Sequence, residues 1–347
     1  MQEIRTYLFR LLFAAIILMP YAGCCANNRP IPADFQSQLD NLAMGLIVEN
    51  GTPKEQILAL QTWINENIAY DETTNEVQKE WEMAYLTCSS RKGNSFQVAN
   101  LLSVLAQKMG IGVFVIKGYL VKEDANATCH DWCGCMIDGQ PYLIDPTCGC
   151  QPFSKNDKHY LAHPDSLKFT YIPFDPLMQL RPTMLTYEQQ EKKIDADTAN
   201  NVNNGWLDSL NAYLKQDAHS QKKAAYKRME PDGEHNKLVT AELTRLKNAI
   251  EDETISFQIK RSESIMYKLS DLHNWIVDLN FTNSSIERTM RNKIDGISGE
   301  LDDMTAQLNA ITNRKKTLRY KVAKDQIDEE RQMLNKCENL LKKKKKR

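Results

Sequence analysis

The sequence lacks an excess of charge of either sign. Its Lys and Arg residues total 44 and its Asp and Glu residues total 45, which leaves a formal net charge of −1 at pH 7. Nucleic-acid-binding domains usually carry a strongly basic surface, so the charge gives no reason to expect a nucleic-acid partner. Self-similarity at solenoid or propeller spacing is also lacking, which argues against a repeat architecture.

The sequence also lacks, near its N-terminus, an apolar run long enough to span a membrane well. The run Leu11 to Met19 falls short of the roughly 20 apolar residues that a spanning helix needs. Arg5 and Arg10 precede the run and small residues follow it, which is typical of a secretory signal peptide over residues 1–26. An uncleaved anchor and a buried N-terminal helix are the alternatives. We therefore expect an exported protein.

The end of this segment, Tyr21-Ala22-Gly23-Cys24, resembles a bacterial lipobox, in which Cys24 becomes the lipidated first residue. Tyr21 departs from the Leu that is usual there, and ordinary signal cleavage nearby is the alternative. An acylated Cys24 would hold the protein on a membrane face through its lipid. The expected location is the periplasm or, with the anchor, the membrane of a bacterial cell envelope.

The chain has 9 cysteines, but their spacing does not match that of standard zinc-binding sites. Cysteines are frequent in exported proteins because oxidising compartments permit disulfides. Many of them crowd into one segment, as Cys129, Cys133, Cys135, Cys148 and Cys150. The Cys-x-Cys pairs lack the two-residue gap of zinc ribbons, so we expect no metal and no cofactor.

The first part of the chain, residues 27–186, mixes helical and strand patterns. Ser95 to Met109 carries apolar residues at helical spacing, and Gly110 is expected to end that helix. Ile111 to Leu120 is rich in β-branched and aromatic residues and predicts a buried strand. Asp138-Gly139 is a strong hairpin signal. These patterns predict an α+β domain with helices packed on an antiparallel sheet.

The remainder, residues 187–347, shows helical patterns almost throughout. Antiparallel helices in a bundle or a long hairpin are expected, and an oligomeric coiled coil is the alternative. Lys315 interrupts the heptad-like spacing near the end of the chain, which favours the bundle. The apolar stripes are formed by Val239, Leu243, Leu246 and Ile250, by Ile265, Leu269, Leu272, Ile276 and Leu279, and by Leu301, Met304, Leu308, Ile311 and Leu318.

The hairpin register brings two titratable side chains together. A two-residue turn at Asp138-Gly139 makes His130 and Asp145 diagonal neighbours on one sheet face, roughly 7 to 8 Å apart. An Asp at that distance can orient the imidazole, as in a nucleophile–His–Asp triad. Ser95 is the natural third member, because it begins a helix whose dipole stabilises negative charge.

The same register places Cys129 opposite Cys148, on the sheet face away from His130. A disulfide between them is possible in an oxidising compartment. Separate thiols are the alternative, and a break in pairing at Pro146 would remove the basis for the disulfide.

Five stretches carry a resemblance to the transglutaminase-like superfamily, within the papain-like cysteine enzyme group and close to the kyphoscoliosis peptidase type. The matches keep their order over about 120 residues. They are WINENIAYD (63–71), RKGNSFQVANLL (91–102), HDWC (130–133), DGQPYLIDPTCG (138–149) and YIPFDPLMQL (171–180). The resemblance implies a papain-like transglutaminase core over residues 40–185 and a substrate cleft at the helix start.

One position departs from the family pattern. The family's nucleophilic Cys falls on Ser95, whereas its His and Asp fall on His130 and Asp145. A helix N-terminus and a His can lower the pKa of a thiol by several units, but an alcohol needs its proton removed by a base during attack. Ser95 could instead simply cap its helix, a role that Ser favours. The calcium site of some animal relatives has no visible acidic counterpart.

Two functional hypotheses follow from the resemblance. In the first, the triad is degenerate and the domain binds a protein or peptide at the former substrate cleft. In the second, the domain is an enzyme for acyl transfer or amide hydrolysis. Ser95 is then the nucleophile, His130 the base and Asp145 the group that orients the base.

Overall fold

The computed structural model describes residues 31–73, 80–121, 126–147, 160–195, 205–231, 236–279 and 284–345. The chain divides into two compact units between Leu243 and Thr244. The predicted boundary at residue 186 stays a prediction. The predicted signal peptide with Cys24, and the predicted disulfide partner Cys148, lie outside the described residues.

The N-terminal unit packs helices on an antiparallel sheet, which confirms the predicted fold class. Its described helices are α1 (Phe35–Gly45), α2 (Pro53–Asn67), α3 (Glu80–Ser90), α4 (Ser95–Lys108), α5 (Pro164–Leu167), α6 (Tyr187–Glu191), α7 (Trp206–Leu214) and α8 (Ala218–Met229). Its described strands are β1 (Ala69–Tyr70), β2 (Lys92–Gly93), β3 (Val113–Val121), β4 (Ala127–Ile137), β5 (Gln140–Ile144) and β6 (Tyr171–Pro173), and a 3₁₀ turn spans Pro176–Gln179.

The main sheet has the strand order β5-β4-β3-β6, with antiparallel neighbours. The turn Asp138-Gly139 has φ angles of 52° and 72°. Two positive φ values are the mark of a type I′ hairpin turn, whose twist matches that of the flanking strands. Ile137 pairs with Gln140, and the ladder continues to Cys133 opposite Ile144. The predicted hairpin is therefore confirmed, with its register as far as Ile144.

Helix α4 packs on one face of this sheet and is almost wholly buried. The Ser103 hydroxyl donates to the Val113 carbonyl at 2.7 Å, which ties the helix to the start of β3. Gly110 follows the helix with a φ of 79°, as a helix-ending glycine does. The core on this face is formed by residues such as Val98, Leu101, Leu102, Leu105, Val113, Cys133, Cys135 and Ile144.

The opposite face of the sheet carries His130 and Trp132, because side chains alternate along β4. Gly118 on β3 makes room for the Trp132 ring. A Cβ atom at Gly118 would lie 2.4 Å from the ring and 2.3 Å from the Ile172 carbonyl oxygen. The buried residues on this face include Ile116, Trp132, Leu143, Leu167, Tyr171, Leu177, Met178 and Leu210.

The C-terminal unit, from Thr244 onwards, is helical, which confirms the predicted all-helical region. It contains most of α9 (Lys237–Asp278), with α10 (Ser284–Asn309) and α11 (Leu318–Lys345). Lys315, which interrupts the apolar spacing, lies between α10 and α11. Within the described ranges, no helix of the chain is both long and apolar enough to cross a membrane. The shared core contains Ile255, Ile265, Leu269, Leu272, Ile276, Ile294, Ile297, Leu301, Met304, Leu308, Ala323, Ile327, Leu334 and Leu341.

Candidate active site

His130 and Asp145 form a hydrogen-bonded pair. Nε2 of His130 lies 2.8 Å from Oδ2 of Asp145. His130 belongs to β4 and Asp145 directly follows β5, so a single hairpin supplies both side chains. The predicted meeting of these two groups is confirmed, while their catalytic role stays a prediction.

The Asp145 carboxylate accepts hydrogen bonds on both oxygens. The Tyr171 hydroxyl donates to Oδ2 at 2.7 Å, and the backbone N–H and hydroxyl of Thr147 donate to Oδ1 at 2.9 and 2.8 Å. Burial alone would raise the pKa of this carboxyl, which is only 4% exposed. The bonds from His130, Tyr171 and Thr147 outweigh burial and hold the pKa below its usual value. Asp145 is therefore an anion at neutral pH.

The anion sets the state of the imidazole. Burial disfavours the imidazolium, but the bond to Asp145 and the charges of Asp145 and Asp131 raise the pKa of His130 above its ordinary value. Because Nε2 is held by the carboxylate, Nδ1 is the nitrogen left for a nucleophile or ligand. The pair is thus arranged as the base and its orienting group would be.

Aromatic rings shield the pair from water. The rings of His130 and Trp132 stack with centroids 6.5 Å apart and an angle of 18°. Tyr171 stands edge-on to both, with centroid distances of 6.2 Å to His130 and 5.2 Å to Trp132. A dry surrounding of this kind strengthens the hydrogen bond between His130 and Asp145.

Ser95 is the first residue of α4 and is 8% exposed. The alternative in which Ser95 caps the helix is wrong, because Asn94 is the N-cap. The Asn94 side chain accepts from the Gln97 N–H at 3.0 Å, and the Gln97 side chain accepts from the Asn94 N–H at 3.0 Å. This reciprocal capping box satisfies the helix start. The Ser95 hydroxyl is therefore available for another partner.

That partner is Tyr70. Burial and the Glu72 carboxylate raise the pKa of Tyr70, whereas a side-chain hydrogen bond with Ser95 acts in the lowering direction. The Tyr70 hydroxyl in turn donates to Glu72 at 3.4 Å. Among the contacts of the described residues, Ser95 has no hydrogen bond to His130.

Sequence reasoning did not single out Tyr70. It stands inside the family-like stretch at residues 63–71, but its contact depends on a short parallel pairing. Ala69 pairs with Lys92 and Tyr70 with Gly93, which carries Tyr70 to the start of α4. Tyr70 also interacts electrostatically with Asp145. It therefore connects the helix start with the His–Asp pair.

The free thiols do not offer a substitute nucleophile. Burial raises the pKa of Cys88, and it raises the pKa of Cys135 to about 12. Cys133 is fully buried, and its thiol donates to the Ala99 carbonyl at 3.3 Å. Cys129 is an exposed free thiol here. The ladder between β4 and β5 ends at Ile144, before Pro146, so the register that suggested a disulfide from Cys129 to Cys148 does not extend that far. Across the described ranges, His, Cys, Asp and Glu side chains form no metal-binding group.

The site and the fold together define a class. A buried helix start, a His–Asp pair on a neighbouring hairpin and helices packed on an antiparallel sheet characterise a papain-like core. The family model for the transglutaminase-like superfamily matches residues 40–176. Residues 40–176 therefore form a domain that is similar to the transglutaminase-like superfamily.

Similarity to individual proteins is limited in extent. The chain is 27% identical over 143 residues to cytokinesis protein 3 of Schizosaccharomyces pombe, which covers 37% of this chain and 16% of that protein. A solved structure of a candidate cysteine protease from Cytophaga hutchinsonii is 20% identical, with a TM-score of 0.28, over 44% of this chain and 48% of the other. A TGase structure is 12% identical, with a TM-score of 0.26, over 44% of this chain and 42% of the other.

Proposed function

We propose that the transglutaminase-like domain is a non-catalytic module that binds a protein or peptide at the cleft beside Ser95. The observation that carries this proposal is that Ser95, at the position where the family pattern has a thiol, has Tyr70 as its neighbour and makes no hydrogen bond to His130 among the described residues. A serine nucleophile needs a base in contact with its proton.

The remaining groups suit recognition of an extended peptide. Tyr70 is half exposed and presents its hydroxyl beside Ser95. His130 is held by Asp145 and keeps Nδ1 free of hydrogen bonds to described residues. Hydroxyl and imidazole groups in a rigid, aromatic-lined site can fix the amide groups of a ligand without reacting with them.

The second candidate is an enzyme for acyl transfer or amide hydrolysis. The observation that favours it is the complete His130–Asp145 pair, with its ordered bonds to Tyr171 and Thr147. Ser95 would be the nucleophile, His130 the base and Asp145 the orienting group. This mechanism requires the Ser95 hydroxyl to make a hydrogen bond to His130 before it can attack.

Active-site labelling separates the two candidates. Wild type, Ser95→Ala, Ser95→Cys and Ser95→Cys with His130→Ala would each be treated with a fluorophosphonate and with a cysteine-directed electrophile. We expect no fluorophosphonate labelling of wild type. We also expect fast thiol labelling of Ser95→Cys that falls when His130 is removed, because the cleft lacks only its sulfur.

Fluorophosphonate labelling of wild type at Ser95, absent in Ser95→Ala, would overturn the non-catalytic function. Binding itself would be tested with glutamine-containing peptides, by titration and by mass spectrometry of the recovered peptides. We expect association with wild type and unchanged peptide masses. Tyr70→Ala should weaken the association, whereas Tyr267→Ala, at an exposed position of the helical unit, is the matched control.

We place this function in the cell envelope, as part of an exported protein. The support is the signal-like segment over residues 1–26 and the lipobox-like Cys24. A radiolabelled fatty acid supplied to expressing bacteria should be incorporated by wild type and not by Cys24→Ala. Export without incorporation would leave the periplasm as the location and exclude the lipid anchor.

A further inference from the structure

A small buried cavity lies behind the candidate site, between the sheet face that carries Trp132 and the segment of residues 164–190. It leaves roughly 10 Å³ for the centre of a water-sized sphere. That space is close to the minimum that one water molecule needs. Its walls include Trp132, Leu143, Tyr171, Met178, Arg181 and Gln190.

Three of the residues that line the cavity each carry a polar atom that has no hydrogen-bond partner among the described residues. These atoms are Nε1 of Trp132, Nη1 of Arg181 and Oε1 of Gln190. The three residues are 1%, 7% and 1% exposed, so bulk water cannot satisfy them. A buried polar atom without a partner destabilises the folded state. Three such atoms on residues that line one cavity therefore indicate a common ligand.

One further polar atom of Arg181 and one of Gln190 already have partners, which orient these two side chains. Nε of Arg181 pairs with the Asp165 carboxylate at 2.5 Å. Nε2 of Gln190 donates to the Lys168 carbonyl at 2.9 Å, so its Oε1 cannot be exchanged for the amide nitrogen without losing that bond. The cavity consequently presents two N–H donors and one carbonyl acceptor.

This donor and acceptor set selects the chemistry of the ligand. An anion would be repelled by the Gln190 oxygen, and a cation would be repelled by the two N–H groups. The positive charge of Arg181 is already matched by Asp165. A water molecule accepts two hydrogen bonds and donates to an acceptor, and buried waters typically make about three bonds. We propose that this cavity is a specific site for one ordered water, held by Trp132, Arg181 and Gln190.

The water would connect two parts of the chain that the sheet does not join. Trp132 stacks on His130, and Tyr171, which also lines the cavity, donates to Asp145. Gln190 and Arg181 follow the family-matched region, which ends at residue 176. The bound water thus fixes the Trp132 indole from behind, through residues outside the matched region.

A high-resolution crystal structure of the full chain tests the site directly. We expect a density peak within about 3.2 Å of all three atoms. A crystal soaked in bromide distinguishes a water from an anion, because bromide gives an anomalous signal and water does not. An anomalous peak in the cavity, no peak at all, or a direct protein partner for Trp132 Nε1 would each overturn the proposal.

A solution measurement adds a control. The Trp132 indole N–H should show a cross-relaxation signal to a long-lived water, and Gln190→Met should abolish it by removing the acceptor. Trp206→Phe, which changes another tryptophan of the same unit, should leave that signal in place. The wild-type measurement does not depend on whether Gln190→Met folds. Absence of the signal in wild type would by itself overturn the proposal.

Discussion

The two compact units each bury a carboxylate, and the two carboxylates behave in opposite ways. Asp145 in the N-terminal unit is 4% exposed and Glu330 in the C-terminal unit is fully buried. The pKa of Asp145 is lowered, whereas burial raises the pKa of Glu330 to about 7. Depth of burial therefore does not decide the charge of a buried acid.

The number of hydrogen bonds to each carboxylate explains the difference. Asp145 accepts from His130, Tyr171 and Thr147, on both of its oxygens. Glu330 accepts on Oε1 from the Ser262 hydroxyl, and its Oε2 has no partner among the described residues. The charge on nearby Glu329 raises the pKa of Glu330 further. A carboxylate is stable in a dry site only when its lone pairs are matched by donors.

Removal of the charge from Asp145 should cause the largest change in the free energy of unfolding. Asp145→Asn keeps the shape of the side chain but leaves Thr147, Tyr171 and His130 without a charged acceptor. Breaking a buried pair of this kind costs about 3 to 5 kcal/mol of unfolding free energy. Urea unfolding of the N-terminal unit, followed by tryptophan fluorescence in a Trp275→Phe background, would measure the loss at pH 7.

The pH dependence of that loss follows from the lowered pKa of Asp145. A depressed folded-state pKa contributes stability above the unfolded value of 3.8, and this contribution disappears as pH falls through the folded value. The variant and wild type should therefore converge in acid. Asp138→Asn, at the exposed hairpin turn, is the control and should change stability by less than about 0.5 kcal/mol. An equal loss in both variants would contradict the importance of the buried pair.

Neutralisation of Glu330 should have the next largest effect on stability, and it should stabilise its unit where the Asp145 change destabilises. A raised folded-state pKa of about 7 means that the folded state keeps a proton that the unfolded state releases above about 4.5. The contribution of the protonated Glu330 side chain to the free energy of unfolding is complete below pH 4.5 and is lost as pH rises through 7. Glu330→Gln should therefore stabilise the C-terminal unit by up to about 3 kcal/mol at pH 8, at about 1.4 kcal/mol for each pKa unit.

Thermal unfolding monitored by helical circular dichroism at pH 5 and pH 8 would test this prediction. The advantage of the variant should shrink at pH 5. Asp328→Asn, two residues away and exposed, carries the same change of charge and should show no such pH dependence. A variant that is less stable than wild type at pH 8 would mean that the Glu330 carboxylate has a partner that stabilises its charge.

Tyr171→Phe removes one hydrogen-bond donor from Asp145 and should therefore reduce the difference in pKa between Asp145 and Glu330. A hydrogen bond to a charged group contributes about 1.5 to 3 kcal/mol, so we expect a loss in that range. The pKa of Asp145 should rise towards its ordinary value, which NMR titration of the side-chain carboxyl carbon would record. Tyr160→Phe, whose hydroxyl donates to the Lys54 carbonyl away from the site, is the matched control. An unchanged Asp145 pKa would contradict the role of this bond.

Ser262→Ala is the corresponding change in the C-terminal unit and should have the smallest effect. The variant removes the hydroxyl that donates to Glu330, at a cost of about 1 kcal/mol for a neutral hydrogen bond. It should also raise the pKa of Glu330 above 7, since the Ser262 bond acts in the lowering direction. NMR titration of Glu330 would detect this shift, and a fall in its pKa would refute the explanation.

Much of the fold could be predicted because its signals are local. The Asp138-Gly139 turn sets the register of β4 and β5, and that register brings His130 and Asp145 together. The helix from Ser95 was predicted from its periodicity, with an error of one residue at its end. The capping residue was predicted wrongly, because both Asn94 and Ser95 can cap a helix and only the backbone geometry distinguishes them.

The rest depends on which distant segments meet. Tyr70 reaches Ser95 through the pairing of β1 with β2, and Tyr171 reaches Asp145 because β6 joins the sheet beside β3. Glu330, which lies between the buried residues Ile327 and Leu334, accepts from Ser262 because α11 packs in the same core as α9. Such pairings are not encoded by any single stretch of residues.

The sequence by itself determined the fold class, the hairpin and the presence of a His–Asp pair, because turn chemistry and side-chain periodicity act over a few residues. Only the tertiary structure decided which side chain lies beside Ser95, how the Asp145 charge is stabilised and why Glu330 holds a proton near neutral pH. Those properties depend on hydrogen-bond partners that lie far apart in the chain. In a buried site, the loss of one such partner lowers the free energy of unfolding by on the order of 1 to 3 kcal/mol.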